Sequence, residues 1–153
     1  MNEHRTRIES AIHRYLSHFQ PDNISSDLRD VAVSLDGLVQ VYFETPDVEP
    51  LSENPTEAPG IDEAAFSRNA ARFFEGDDVI WLVDSKGGHD QDPVCTFATS
   101  ELAEIANDLT KVLWEFKNGA EADAIWEFRF GYQSHWGDHL HRVRHYLHGL
   151  AAW

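Results

Sequence analysis

The hydrophobic residues of this chain recur at steps of three and four residues in five separate stretches. That spacing places them on one face of an α-helix. The first stretch covers residues 3 to 19 and stops before Pro21. Its apolar positions are Ile8, Ile12, Tyr15, Leu16 and Phe19. The pattern predicts an amphipathic first helix that buries this face in a core.

A second helix is predicted after Ser25 or Ser26, either of which can cap its first turn. Its apolar stripe covers residues 28 to 42, although the letters LVQVYF near its end also suit a strand. Residues 44 to 60 follow, with four of the six prolines and five carboxylates. This composition predicts a proline-rich acidic loop.

Residues 61 to 74 predict a short helix that ends at Gly76. The run VIWLV, residues 79 to 83, is too short for its periodicity to separate a strand from a buried helical turn. Cys95 is the only cysteine, so one chain can form no internal disulfide. No base stands beside it in PVCTF, and we interpret it as a small buried hydrophobic residue.

Two long helices complete the pattern. Thr99 or Ser100 is the predicted cap of a fourth helix, whose apolar face continues for five turns. A final helix is predicted from Glu121 almost to Trp153. Together these elements predict an all-α fold, a bundle of four to five helices.

A short extended element near residues 79-83 is the one possible exception to the helical pattern. At 153 residues the chain has the length of one domain. Residues 1-153 are therefore interpreted as a single helical domain that carries the loop at 44-60.

The net charge of the chain limits the classes of partner that it can bind. The chain has 27 acidic and 12 basic residues and a formal net charge of -15, which repels a phosphate backbone. We therefore expect no nucleic acid as a partner, and an acidic surface that meets another protein. No apolar run has the length of a membrane span or a secretory core, so we expect a cytoplasmic protein without membrane contact.

The final helix carries two residues that need polar partners. On a helical wheel its core line contains Ile125, Arg129, Tyr132, Trp136, Leu140, Val143, Leu147 and Leu150. Arg129 lies within this apolar stripe and His139 lies at its edge, and a buried charge without a partner costs several kcal/mol. The fourth helix offers a stripe of carboxylates: Glu101, Glu104, Asp108 and Glu115. We expect one of them to pair with Arg129.

The same residues allow a metal site. His135 and His139 are four positions apart, which brings both rings to one side of a helix, and Glu104 or Asp108 can complete the ligands. A lone H-x-x-x-H is a weak motif because it lacks the glutamate that follows the first histidine in zinc proteases. The alternative is a histidine that is hydrogen-bonded between packed helices.

Two C-terminal segments resemble a known family. SELAEIANDL, residues 100 to 109, and AIWEFRFGYQSHWGDHLHRVRHYLH, residues 124 to 148, are similar to a bacterial family known only as domain of unknown function 5063. The resemblance implies a mainly helical cytoplasmic domain without an established activity. It also groups several residues into one constellation: Glu101, Glu104, Asp108, Trp126, Arg129, His135, Trp136, Gly137 and His139.

Three functions are compatible with these observations. The first is a non-enzymatic protein-binding or regulatory module, which needs no cofactor. The second is a metal-dependent hydrolase or metal-binding protein that uses a divalent ion on the last two helices. The third is a small anionic ligand held by Arg129 and the tryptophans, with Tyr132 on the same helix face.

Overall fold

The computed structural model describes residues 3-53 and 57-150, so Pro55 and the predicted end of the final helix at Trp153 lie outside the described residues. This part of the chain forms six helices and two strands. They are α1 (Glu3–Ser17), α2 (Leu28–Glu44), α3 (Glu63–Ala71), β1 (Val79–Leu82), β2 (Val94–Phe97), α4 (Ala98–Asn118), α5 (Glu121–Ser134) and α6 (Trp136–Leu150). The fold is mostly helical, and the predicted all-α bundle of four to five helices, with a short extended element allowed near residues 79-83, matches it only roughly.

Helix α4 is the centre of the packing. It contacts α1, α3, α5 and α6, and its inward residues are fully or almost fully buried. The Tyr15 hydroxyl of α1 donates a 2.7 Å hydrogen bond to the Leu102 carbonyl of α4 inside this core. Within the described ranges, no helix is both long enough and apolar enough to cross a membrane.

The N-cap of helix α2 is one residue later than Ser26, the later of the two predicted caps. Asp27 is the N-cap: its carboxylate accepts from the Asp30 amide, and the Asp30 carboxylate accepts from the Asp27 amide. Ser26 is not available as a cap because its hydroxyl bonds the ring of His18 at 2.8 Å. The LVQVYF segment stays helical to Glu44, since helical spacing buries Leu38 and Tyr42 together.

The two strands form an antiparallel hairpin. The sequence left residues 79 to 83 open between a strand and a helical turn, and it did not predict β2. Trp81 lies opposite Cys95 in the register, and both side chains are on the exposed face of the hairpin. The prediction of a buried Cys95 was therefore wrong. Two strands have one covered face, and position 95 alternates onto the other face.

Helix α4 begins directly after β2, and neither Thr99 nor Ser100 is its N-cap. The Asp78 carboxylate accepts hydrogen bonds from the Thr99 amide, at 3.1 Å, and from its hydroxyl, at 2.6 Å. The Ala98 amide bonds the Asp78 carbonyl at 2.7 Å. The cap thus comes from the chain before β1, which neighbouring residues could not reveal.

The predicted final helix is two helices, which meet at His135. The backbone of His135 leaves the helical region, with φ -149° and ψ -80°. Gly137 touches the preceding turn so closely that a Cβ there would overlap the carbonyl oxygen of Tyr132. A Cβ at Gly131 would lie 2.7 Å from the buried indole of Trp136. These two glycines permit a sharp junction that a continuous apolar pattern does not predict.

Arg129 pairs with α2 and not with a carboxylate of α4, so that prediction was wrong. Its Nη1 donates to the carbonyls of Tyr42, at 3.2 Å, and Thr45, at 2.5 Å. Its Nε lies 3.5 Å from Asp47 Oδ1, and the guanidinium covers the Tyr42 ring. A cation against the last carbonyls of a helix is favourable, and this contact fixes α5 to the end of α2.

We expect Gly137→Ala to destabilise the protein by about 1–3 kcal/mol, because its methyl group meets rigid backbone. The matched control is Gly149→Ala in the same helix, where a Cβ meets no atom within 4 Å. That control should be neutral or stabilising by up to about 1 kcal/mol. Denaturant unfolding measures both, and equal stabilities would contradict the described junction.

Candidate metal centre

Five of the singled-out side chains come together on one side of α4. Helix α4 supplies the carboxylates, which its periodicity places on one stripe. The α5–α6 junction supplies one histidine and α6 supplies the other. We call this group the histidine–carboxylate cluster: Glu101, Glu104, Asp108, His135 and His139.

The first pair of the cluster is His139 with Glu101. His139 Nδ1 lies 2.7 Å from Glu101 Oε2, and the Thr96 hydroxyl of β2 donates to Oε1 at 2.7 Å. Glu101 is 3% exposed, and Arg142 Nη1 approaches Oε2 to 3.7 Å. Burial by itself would raise the pKa of Glu101, but the hydrogen bonds from His139 and Thr96 hold that pKa below its usual value.

The second pair is His135 with Asp108. His135 Nδ1 lies 2.6 Å from Asp108 Oδ2. The other oxygen of Asp108 is 3.8 Å from the ammonium of Lys111, one turn further along α4. Both histidines therefore direct Nδ1 at a carboxylate of α4, so each ring orientation is fixed by a partner on a different helix.

The remaining ring nitrogens face each other. His135 Nε2 and His139 Nε2 are 3.3 Å apart, and Glu104 Oε2 lies 3.9 Å from His135 Nε2. A carboxylate only accepts hydrogen bonds, so each Nδ1 carries the proton that it donates. In two neutral rings both Nε2 atoms then present lone pairs to one another. Such an arrangement needs a proton or a metal ion between them.

The separations fit a bound ion. One ligand atom from each of Glu104, His135 and His139 lies within 4.8 Å of the others. Two nitrogens at about 2.0–2.1 Å from one tetrahedral zinc ion are about 3.3 Å apart, which is the separation between these Nε2 atoms. A carboxylate on the outer nitrogen of each histidine is the usual support for such ligands.

The cluster is open to solvent on one side. The side chains of His135 and Glu104 are 47% and 40% exposed, whereas those of His139 and Asp108 are 17% and 16% exposed. The supporting groups are thus covered while two of the ligand candidates reach the surface. An ion held here by three side chains would keep positions for water or another ligand.

The other singled-out residues lie outside this cluster. Tyr132 stacks on Tyr42 with ring centroids 3.9 Å apart, and its hydroxyl contacts His141. Trp136 is fully buried and donates its indole N–H to the Phe128 carbonyl. Trp126 stacks on Phe130, beside a separate cavity. Arg129, which contacts the end of α2, also lies outside the cluster. The residues grouped by the family resemblance therefore divide into one polar cluster and a set of packing residues around it.

Two contributors were absent from the sequence reasoning. Thr96 reaches Glu101 because β2 runs directly into α4, and VCTF gives no sign of that role. Arg142 lies three positions after His139 and pairs with both Glu101 and Asp138, so helical spacing could have found it.

Comparison with known families matches this chain to a family that is described only as a domain of unknown function. The chain belongs to the family described as a domain of unknown function, DUF5063, whose model matches residues 55–152. The resemblance seen in the sequence is thereby confirmed. Among curated proteins no match is found.

A solved structure shares the fold. Protein BF1032 from Bacteroides fragilis has a TM-score of 0.71 to this chain at 14% sequence identity. The alignment covers 99% of this chain and 95% of that one. At this identity the likeness supports the helical architecture alone.

The His139–Glu101 pair predicts a pH dependence of the metal-free protein. The hydrogen bond to Glu101 raises the pKa of His139 despite its burial, so its contribution is full at low pH and is lost as pH rises through the raised pKa. The pKa of Glu101 is lowered, so the stability that its charge contributes is lost as pH falls through that lowered pKa. The pair should stabilise most between about pH 5 and 6.5.

Thermal melts of the wild type and Glu101→Gln in the presence of a chelator test this. The difference between their melting temperatures should be largest in that window and should shrink as pH rises through the raised pKa of His139. A difference that grows steadily with pH above neutrality would contradict the described pair.

Proposed function

We propose that this protein binds a divalent transition-metal ion through Glu104, His135 and His139. One observation carries the proposal: both Nδ1 atoms are bound to carboxylates, which leaves the two Nε2 atoms facing each other at 3.3 Å. When both rings are neutral, a metal ion between them would accept both Nε2 lone pairs. The acidic surroundings add to the attraction for a cation.

The ligand set indicates the kind of ion and the chemistry that it would support. Two imidazoles and one carboxylate suit zinc, iron, nickel or copper better than magnesium or calcium, which prefer oxygen ligands. The positions that the protein leaves open would accept water, whose pKa such an ion lowers towards about 7. Metal-dependent hydrolysis is therefore the reaction class that this proposal favours.

The metal content of untagged protein, purified without chelator and then offered zinc, iron, nickel or copper, tests the binding. We expect about one ion per chain, lost in His135→Ala and in His139→Ala. The matched control is His145→Ala, which removes an exposed histidine from the same helix. That control should keep the full metal content.

A further variant separates ligands from their supports. Asp108→Asn leaves all three proposed ligands in place but weakens the hold on His135, and we expect about a tenfold loss of metal affinity. Wild-type protein that stays metal-free with every ion, or equal metal loss in the His145 control, would contradict the proposal.

A protein partner is a second candidate function, favoured by the hairpin. Its outer face exposes Trp81 and Phe97, at 69% and 49% of their surface. Large apolar side chains that stay exposed together are typical of interaction surfaces. This role would not require the histidine–carboxylate cluster and is compatible with bound metal.

The two roles can be separated with one substitution. Trp81→Ser should abolish cross-linking to the partner in cells while the purified protein keeps its metal content. Phe43→Ser is a suitable control, because Phe43 is equally exposed, at 74%, and belongs to α2. Unchanged cross-linking of the Trp81 variant would exclude this surface.

A further inference from the structure

A cavity of about 700 Å³ lies beside the second half of α4. It is separate from the histidine–carboxylate cluster, and its walls come from α4, α5 and residues 50–53 and 57–58. Its volume is in the range of pockets that hold small molecules. The apolar part of the wall is formed by Pro50, Leu51, Ala58 and Trp126.

One wall of this cavity is fixed by a buried carboxylate. Asp123 is 5% exposed and accepts from the amides of Leu51 and Ser52 at 2.5 and 3.1 Å. The Ser52 hydroxyl donates to its second oxygen at 2.5 Å. These hydrogen bonds hold the pKa of Asp123 below its usual value. The loop is therefore pinned to the start of α5, and the cavity is formed before any ligand arrives.

The polar lining is almost entirely anionic. Besides Asp123 it contains four carboxylates, none of which has an ion-pair partner within 4 Å in the described ranges: Glu53, Glu57, Glu115 and Glu127. The one basic side chain of the lining, Lys111, is directed to Asp108. Burial first, and then neighbouring acidic groups, raise the pKa values of Glu115 and Glu127. The cavity lining thus has five carboxylates against one basic side chain, Lys111, which also acts on Glu127, so its charge is net negative.

An aromatic wall adds a second preference for cations. The indole of Trp126 stacks on Phe130 with centroids 4.6 Å apart and planes 9° apart, which fixes its orientation. An indole face attracts an organic cation, and tryptophan does so most strongly of the aromatic side chains. A bare metal ion fits less well, because among the described residues only Glu104, His135 and His139 bring three ligand atoms within 4.8 Å of one another.

We infer that this cavity binds a small molecule with a protonated amine on an apolar body. The carboxylates of α4 and α5 receive the ammonium group, and Trp126 with the proline and leucine of the loop covers the apolar part. Phosphates and carboxylic acids are disfavoured by the same lining. This site does not depend on the proposed metal.

Calorimetric titration with benzylamine and benzyl alcohol tests the inference, since the two have similar shape and differ in charge. We expect benzylamine to bind at least about tenfold more tightly than benzyl alcohol. Glu115→Gln/Glu127→Gln should weaken benzylamine by at least about tenfold, because both carboxylates lose their charge. Trp126→Leu should weaken it by about three- to tenfold.

The control is Asp22→Asn/Asp90→Asn, which removes two exposed charges outside the cavity lining and should leave the affinity unchanged. Equal binding of amine and alcohol, no binding of benzylamine, or full affinity in the Glu115/Glu127 variant would overturn the inference. Every titration is run with chelator and again without it. If the chelator removes bound metal and the affinity for benzylamine stays the same, the amine site is independent of the proposed metal site.

Discussion

The helix break at His135 is the constraint on which the polar cluster depends. In a continuous helix the residues four positions apart would share one direction, and both rings would lean along the same face. The break turns the His135 ring so that its Nε2 meets that of His139, at 3.3 Å. Close packing at Gly131 and Gly137, with Trp136 buried beneath, holds this turn. Packing around two glycines thus determines the distance between two histidines.

Electrostatics then decides what that distance means. Two histidines packed between helices are ordinarily satisfied by donating one proton and accepting another. Here the acceptors of α4 occupy both Nδ1 positions, so the inner nitrogens have no donor from each other unless one ring is protonated. The same carboxylates that would stabilise a protonated histidine pair would also stabilise a bound metal ion. The cluster is therefore specified by the pairing of Glu101 and Asp108 with the rings, more than by the histidine spacing.

The sequence pattern predicts most of the helices and the side chains that form the cluster, but not how these side chains are arranged. Helical periodicity placed Glu101, Glu104 and Asp108 on one stripe, and the need of His139 for an acid pointed to that stripe. It failed for Arg129, because the wheel gives a direction around a helix and not the identity of the neighbouring helix. It failed at the α5–α6 junction and for β2 because both depend on close contacts that local pattern does not encode.

The acidic composition has a local meaning in this fold. A net charge of -15 would be uniformly repulsive if it were spread over the surface. Instead carboxylates gather along α4, around the histidines and around the cavity beside Trp126. Lys111 connects the two regions, since it lines the cavity and lies 3.8 Å from Asp108. Glu104 and Lys111 are seven positions apart in α4, a rise of about 10 Å. Both regions therefore lie in one negative field, which favours cations of two different kinds at neighbouring places on the same helix.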